Sequence, residues 1–362
     1  MRRQDMDALI AAIGDAFDKM GGLRRHIHIS RYPRDAIGAV NRYVRNLPAK
    51  SRERVRVYAV GGDGILFDCL NAAMCLPGAE LGAMPYGHVN AFVHSFGDGV
   101  EGAFRDIAAM ARAPSIPTDV ILCNGNYAIN YCLIGIEAVL YNWVAGMERR
   151  FSRLKKIIKA LNRGFYNYIA AFGVIGRNLL NQHYIIDADG ERIDGQYSAI
   201  HIANGPSYGK SMTTTGASLP DDGVLEVVTG RMSSSLSVFR YYPALCNGKH
   251  TGARYRRKGI FTHRLARELE ITSGELLSIC LDGEVFSGSL AKIRVIPGGA
   301  RIIAPDGLRY VQRLDNEPYA GAPPNGSKQC AFALPYAGKP SIGASPYAGK
   351  QCAFVPAERR VI

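Results

Sequence analysis

The sequence predicts an α/β domain followed by an all-β domain. Strand-like and helix-like runs alternate over residues 1–118, and short apolar runs broken by Gly, Asn, Asp and Pro follow over residues 119–297. A repetitive Pro- and Gly-rich tail occupies residues 316–362, with residues 298–315 read as a segment returning to the first domain. The chain has 362 residues, 47% of them hydrophobic, which is enough for two packed cores.

Met6, Leu9, Ile10, Ile13, Phe17 and Met20 mark one face of an opening helix, closed by Gly21-Gly22. His26 to Ser30 reads as a short strand, and Ile37, Val40, Val44 and Leu47 recur at the spacing of a second helix. The β-rich run Val55 to Val60 then enters Gly61-Gly62-Asp63-Gly64, which leads into a helix-like stretch from Ile65 to Ala73. A further strand, Glu80 to Met84, ends in Pro85-Tyr86-Gly87-His88-Val89-Asn90, after which Phe92 to Phe96 starts helically. Such alternation implies a parallel sheet with helices on its faces, and ligands of these sheets bind at the carboxyl ends of strands, where both loops fall. Glycines let the backbone approach a ligand closely, and the N–H groups at a helix start attract negative charge, so the first loop is suited to a phosphate. Gly-Asp-Gly also makes ordinary turns.

Beyond residue 118, Asp119 to Cys123, Tyr127 to Ile134, Tyr197 to Ala203, Gly223 to Thr229, Leu276 to Leu281 and Ala291 to Pro297 form an antiparallel pattern, interrupted by a helical segment from about 147 to 180. In that segment Arg149, Arg150, Arg153, Lys155, Lys156, Lys159 and Arg163 alternate with Phe151, Leu154, Ile157, Ile158 and Leu161, giving a basic amphipathic helix. It suits an anionic membrane surface, or equally a solvated face over a core. A second basic cluster, Arg254, Arg256, Arg257 and Lys258, adds to a net charge of +13. No helix-turn-helix, RNP or zinc-finger signature accompanies this charge, which argues against nucleic acid as the partner. The eight cysteines contain no C-x-x-C pair and read as reduced and cytosolic. Neither a signal-like h-region nor an uninterrupted spanning segment is present, so the expected location is cytoplasmic. In the tail, Pro-Tyr-Ala-Gly recurs at 318, 335 and 346 and Lys-Gln-Cys-Ala-Phe at 328 and 350, a composition expected to be disordered.

Val60-Gly61-Gly62-Asp63-Gly64, Met84 to Phe92, Asp221-Asp222-Gly223-Val224-Leu225-Glu226 and Asp282-Gly283-Glu284, in that order, resemble the diacylglycerol kinase catalytic family. That family includes bacterial lipid kinases and sphingosine kinases and is related to NAD kinases. The likeness runs over roughly residues 20 to 305. It implies a Rossmann-like parallel-sheet domain and a C-terminal antiparallel β-sandwich, with ATP in the cleft between them and Mg2+ offsetting charge on the transferred phosphoryl group. By the same resemblance, Gly61, Gly62, Gly64, Gly87, His88, Asn90 and Asp282 would bind the nucleotide. Glu284 would serve as base or its helper, with Asp63 as the second candidate. Asp221 and Asp222 could help hold the metal, although a capped or turn-forming pair is the more ordinary role. The acceptor would be diacylglycerol or a similar membrane lipid met at an anionic surface by peripheral association, and a homodimer is compatible with the pattern.

The chain departs from the family pattern at Ile65, where Thr is usual, and at Val89 and Ala91, where a hydroxyl and a carboxylate are usual. The usual Asn-Pro-x-Ser-Gly segment does not precede the first helix. These changes leave a second reading open, a catalytically weak member acting as a nucleotide- or lipid-binding regulator. NAD kinase, the third, ranks lower because its Asn-Glu pair is missing.

Overall fold

The structure, a computed structural model, describes residues 3–20, 25–48, 55–142, 179–209, 212–213, 218–246, 248–251, 255 and 258–311. The predicted stripe on the first helix forms. In α1 (Arg3–Met20) it half-buries Met6, Leu9, Ile10, Ile13 and Phe17, and the Phe17 ring meets Tyr58 edge-on at 6.5 Å. The second helix, α2 (Asp35–Arg45), buries Ala36 and Val44 and precedes β1 (Arg56–Gly61).

β1 runs parallel to β2 (Glu80–Pro85), with Val57 beside Leu81 and Gly61 beside Pro85. Between them lies α3 (Asp63–Ala73), whose residues from Leu66 to Ala73 are all buried. A helix apolar on every side needs cover on every side. Leu66 and Leu70 join the core of the first domain, while Phe67 reaches the core of the second. Asn71, the buried amide among them, is satisfied: its Nδ2 donates to the carbonyls of Phe67 and Tyr127 at 2.8 and 2.9 Å, and its Oδ1 accepts the Tyr127 N–H at 2.9 Å.

Two short helices, α4 (Glu101–Arg105) and α5 (Ile107–Arg112), complete the first domain. The second is built from β3 (Ser115–Cys123), β4 (Asn126–Ala128), β5 (Tyr131–Gly135), β6 (Gln182–Ala188), β7 (Glu191–Tyr197), β8 (Ala199–Ala203), the small β9 (Ser207–Gly209) and β10 (Met212–Thr213), β11 (Leu225–Gly230), α6 (Ser235–Cys246), β12 (Phe261–Ala266), β13 (Glu268–Leu281) and β14 (Glu284–Ile303). All pairings in this part are antiparallel, as a β-sandwich requires. The main sheet runs β1-β2-β14-β13-β5-β8-β11-β12. Its continuity depends on β14, which pairs antiparallel with β13 and β3 and then, at Arg301 to Ile303, parallel with β2. The core of the second domain gathers Ile121, Cys132, Ile134, Tyr184, Ile200, Leu225, Ile271 and Leu281.

The expected strand at His26 to Ser30 is absent. The segment has no regular structure and no ladder pairing, Ile27 and Ile29 remain 39% and 47% exposed, and β1 is the outer strand of the sheet among the described residues. Alternation there had no partner strand to fix its register. Of the cysteines, Cys69, Cys123, Cys132 and Cys280 are free and buried, whereas Cys75 takes part in a disulfide, against the expectation of wholly reduced thiols. Among the described residues no helix is long and apolar enough to cross a membrane. The basic amphipathic segment of about 147 to 180 lies outside the described residues but for its last two, as does the repetitive tail at 316–362.

Buried ionisable groups line one face of the second domain. Glu137 contacts His201 at 2.9 Å, Glu226 contacts His263 at 3.2 Å, and His250, 1% exposed, stacks edge-on against Phe261. Burial, with His201 and His263 nearby, pushes the His250 imidazole down to about 3. A lowered folded pKa means that the unfolded chain binds the extra proton between pH 6.5 and about 3, so this contribution to stability is complete above pH 6.5 and is lost as pH falls through that window. Lowering the pH from 7 to 5 is expected to cost about 2 kcal/mol through this residue, at ~1.4 kcal/mol per pK unit. Urea unfolding of wild type and His250→Phe at both pH values checks it, since the variant should lose correspondingly less.

Candidate active site

Two loops meet backbone to backbone at the carboxyl ends of β1 and β2. The Gly61 carbonyl accepts the N–H groups of Tyr86 and Gly87, both at 2.9 Å. A Cβ on Gly62 would stand 3.3 Å from the Gly87 Cα, and one on Gly87 would overlap Gly62. Glycine is needed at 87 for the close approach, and a side chain at 62 would be tight. Asn90 braces the second loop from a left-handed conformation (φ 52°), its Oδ1 accepting the Gly87 N–H and its Nδ2 donating to the Gly87 carbonyl, both at 3.0 Å. Ala91 then donates its N–H to Asp63 Oδ1 at 2.7 Å, tying the loops together through the carboxylate. Burial raises the Asp63 carboxyl above its usual range, against the backbone N–H bonds that pull it down.

α3 begins at Gly62 with no side-chain cap from that residue, and the Ile65 and Leu66 N–H groups donate to the Gly62 carbonyl at 3.1 and 3.2 Å. Gly64 is exposed at this start, and the Glu284 Oε1 lies 3.5 Å from where a Cβ of Gly64 would stand. Glu284 therefore comes close to the residue next to Asp63, although 221 positions separate the two carboxylates in the sequence.

The hairpin that delivers Glu284 is pinned from inside. Asp282 and Gly283 both have positive φ (47° and 91°), as a two-residue type I′ turn between β13 and β14 requires. The Asp282 carboxylate accepts three backbone N–H groups where the chain breaks between β4 and β5: Ile129 at 2.7 Å, Asn130 at 3.1 Å and Tyr131 at 2.9 Å. Burial nonetheless raises it to about 7, with the Asp63 charge adding to the rise. Asp282 and Asp63 line one small crevice with Leu66, Ala91, Phe92 and Asn130. Asn130 is held in turn by its Nδ2 bond to the Ser207 carbonyl, and Asn204 bridges the carbonyls of Asp119 and Ile129.

The predicted site residues thus divide. Asp63 and Asp282 share the small crevice, Gly61, Gly62, Gly87 and Asn90 form the loop contact that holds Asp63, and Glu284 approaches Gly64, with Asn90 and Asp282 spending their bonds on the loops themselves. His88 is exposed beside them. Asp221 and Asp222 lie exposed on a turn, where Asp222 Oδ1 accepts the Val224 N–H at 3.1 Å. The carboxylate behind that turn, Asp119, is occupied by the N–H groups of Gly223 and Gly298 at 2.6 and 2.7 Å. Among the described residues no group of three or more His, Cys, Asp or Glu is arranged to hold a metal ion. The acidic turn does not form a cage for a cation among the described residues. Ile65 departs from the family pattern with a visible consequence, because its Cγ2 would lie 2.6 Å from a Cβ on Gly61 and so covers that glycine.

Arg34, Asp68, Asn71, Asp119 and Asn130 are not singled out by the sequence. The only signal for them is a buried-type polar residue in an apolar run, as with Asp68 and Asn71 inside α3, and that signal does not name a partner.

A glycine-rich loop at a strand-to-helix junction thus meets an acidic hairpin returning from a β-sandwich-like domain. Residues 4–123 match the model of the diacylglycerol kinase catalytic domain, and residues 143–304 match that of the YegS C-terminal NAD kinase beta sandwich-like domain. The chain belongs to this diacylglycerol kinase and YegS-like family, as a divergent member. A protein named as a candidate lipid kinase from Staphylococcus aureus strain MRSA252 is 21% identical over 309 residues, covering 82% of this chain and 92% of that protein. The crystal structure of a candidate diacylglycerol kinase from Bacillus anthracis strain Sterne superposes with a TM-score of 0.57 at 20% identity, over 78% of this chain and 85% of that one. A diacylglycerol kinase structure from the same strain gives 0.53 at 16% identity, over 78% and 86%. At these identities the structures speak to the fold.

Proposed function

We propose that this chain transfers the γ-phosphoryl group of ATP to the hydroxyl of a membrane lipid, diacylglycerol or one like it. The observation that carries the reading is the approach of Glu284 to Gly64, the residue next to Asp63, at the start of α3. A lipid hydroxyl is a poor nucleophile at neutral pH, and a carboxylate within reach takes its proton as the phosphorus is attacked. Glu284, half-buried at the mouth, is assigned that role. Asp63, held by the Ala91 N–H, orients the loop and is the second candidate. Backbone N–H groups of Gly62 to Gly64 would hold the phosphates by the helix-terminus effect. Magnesium, when bound with the nucleotide, offsets phosphoryl charge; such ions are held by one or two carboxylates plus substrate phosphates rather than by a protein cage. The basic residues of 149–163 and 254–258 would draw the enzyme to an anionic bilayer.

The test is transfer of labelled γ-phosphate from ATP to a panel of lipid hydroxyls in anionic vesicles, with and without Mg2+. Wild type is expected to label a glycerolipid, and Glu284→Gln to reduce labelling by about 10²- to 10⁴-fold, the usual weight of general-base catalysis. Ile65 over Gly61 favours one second reading, a weakly catalytic nucleotide-binding regulator. Under the kinase reading Ile65→Thr raises turnover; under the regulator reading it changes only nucleotide affinity.

A further inference from the structure

Arg34 stands at the N-cap of α2 with φ 71°, a left-handed conformation uncommon for a side chain of its size. Its surroundings hold it there. The backbone N–H donates to Asp68 Oδ2 at 2.8 Å, and Nη1 reaches Asp68 Oδ1 at 3.4 Å. The guanidinium carbon lies 4.5 Å from the centre of the Phe67 ring and 5.2 Å from that of Phe286. Nη2 then faces Glu284 Oε2 at 3.7 Å, while the other oxygen of that carboxylate faces Gly64. Phe67 and Asp68 belong to α3, Glu284 and Phe286 to β14, so one side chain joins three elements at the mouth of the crevice.

We infer that Arg34 is a positioning residue for Glu284, fixing the direction in which its carboxylate meets the reacting hydroxyl. The inference rests on the role proposed for Glu284. A half-exposed glutamate has several rotamers of similar energy, and catalysis requires one of them. Arginine suits the task because its planar fork, ordered between two rings and a buried carboxylate, presents its remaining N–H groups in a fixed direction. Lysine offers the charge without the fork. Asp68 serves as the buried counterion that keeps the guanidinium in place.

Kinetics of the full chain on vesicles test the inference. Arg34→Met is expected to lower kcat by about 10- to 100-fold, the scale of a small misplacement of a reacting group, with KM for ATP nearly unchanged; Arg34→Lys recovers part of the loss. A raised KM for ATP at unchanged kcat would make Arg34 a nucleotide contact and overturn the inference, as would no change in either constant. Because Arg34→Met strands the Asp68 carboxylate, Arg34→Met/Asp68→Asn is measured beside it, with the same kcat loss expected. A second readout needs no turnover: the side-chain carboxyl 13C resonance of Glu284, assigned through Glu284→Gln in nucleotide-free protein, should move in Arg34→Met. An unmoved resonance overturns the Arg34 assignment even in an active enzyme. Absence of phosphoryl transfer by wild type, with the resonance moving as expected, would overturn the proposed function while leaving the contact established.

Discussion

Gly87→Ala is expected to abolish nucleotide binding and to lower the melting temperature. The added Cβ would overlap the Gly62 Cα and come within 2.7 Å of Asn90 Oδ1 and 3.0 Å of the Gly62 nitrogen. None of these atoms can retreat cheaply, because two are backbone and the third is the oxygen that accepts the Gly87 N–H. Overpacking of this kind typically costs about 1–3 kcal/mol. Relief requires the two loops to part, which removes the Ala91 N–H from Asp63 and opens the cradle. Thermal unfolding and isothermal titration with ATP check both parts. Gly38→Ala is the control: nothing lies within 4 Å of its would-be Cβ, and it sits within α2, where alanine is preferred by about 1 kcal/mol. A Gly87→Ala protein with wild-type melting and ATP affinity would show that the loops do not meet as described.

Asp63→Asn separates chemistry from architecture. Asparagine keeps the volume and the oxygen that accepts the Ala91 N–H at 2.7 Å, and it removes a negative charge that burial already disfavours. Its folded pKa is raised, so the aspartate destabilises the fold as pH rises through that value, and the asparagine variant is spared that loss. Melting at pH 7 is therefore expected to hold or rise slightly. Turnover is expected to fall by about 10²- to 10³-fold, the scale of losing one preorganised electrostatic contact. A variant that retains turnover would remove Asp63 from the reaction and leave it as a loop tie.

How far the sequence disclosed this site follows from the range of the interactions involved. Gly61 to Gly64 and Gly87 to Asn90 were readable because each loop's chemistry is contained in a few consecutive residues after a β-rich run. The turn at Asp282-Gly283 was readable too, through the preference of that pair for a hairpin. What Asp282 does with its carboxylate was not, since its three N–H donors sit at Ile129 to Tyr131, a break between short strands with no side-chain signature. Arg34 was hidden for a similar reason: Tyr-Pro-Arg-Asp reads as a surface turn, and its partners lie 33 to 252 residues away. The misread strand at His26 to Ser30 shows the converse. Alternation specifies a face, but a ladder also needs an edge at the right place.

The twentieth residue of β14 has a consequence for how the polypeptide is made. Ile303 is the neighbour of Gly82, so β2 lacks one flank until more than two hundred further residues have left the ribosome. Loop-closure entropy for so distant a pairing must be met before any of its contacts form, which makes the assembly slow and exposes an apolar edge meanwhile. The amino-terminal half therefore completes the pairing of β2 only when β14 arrives.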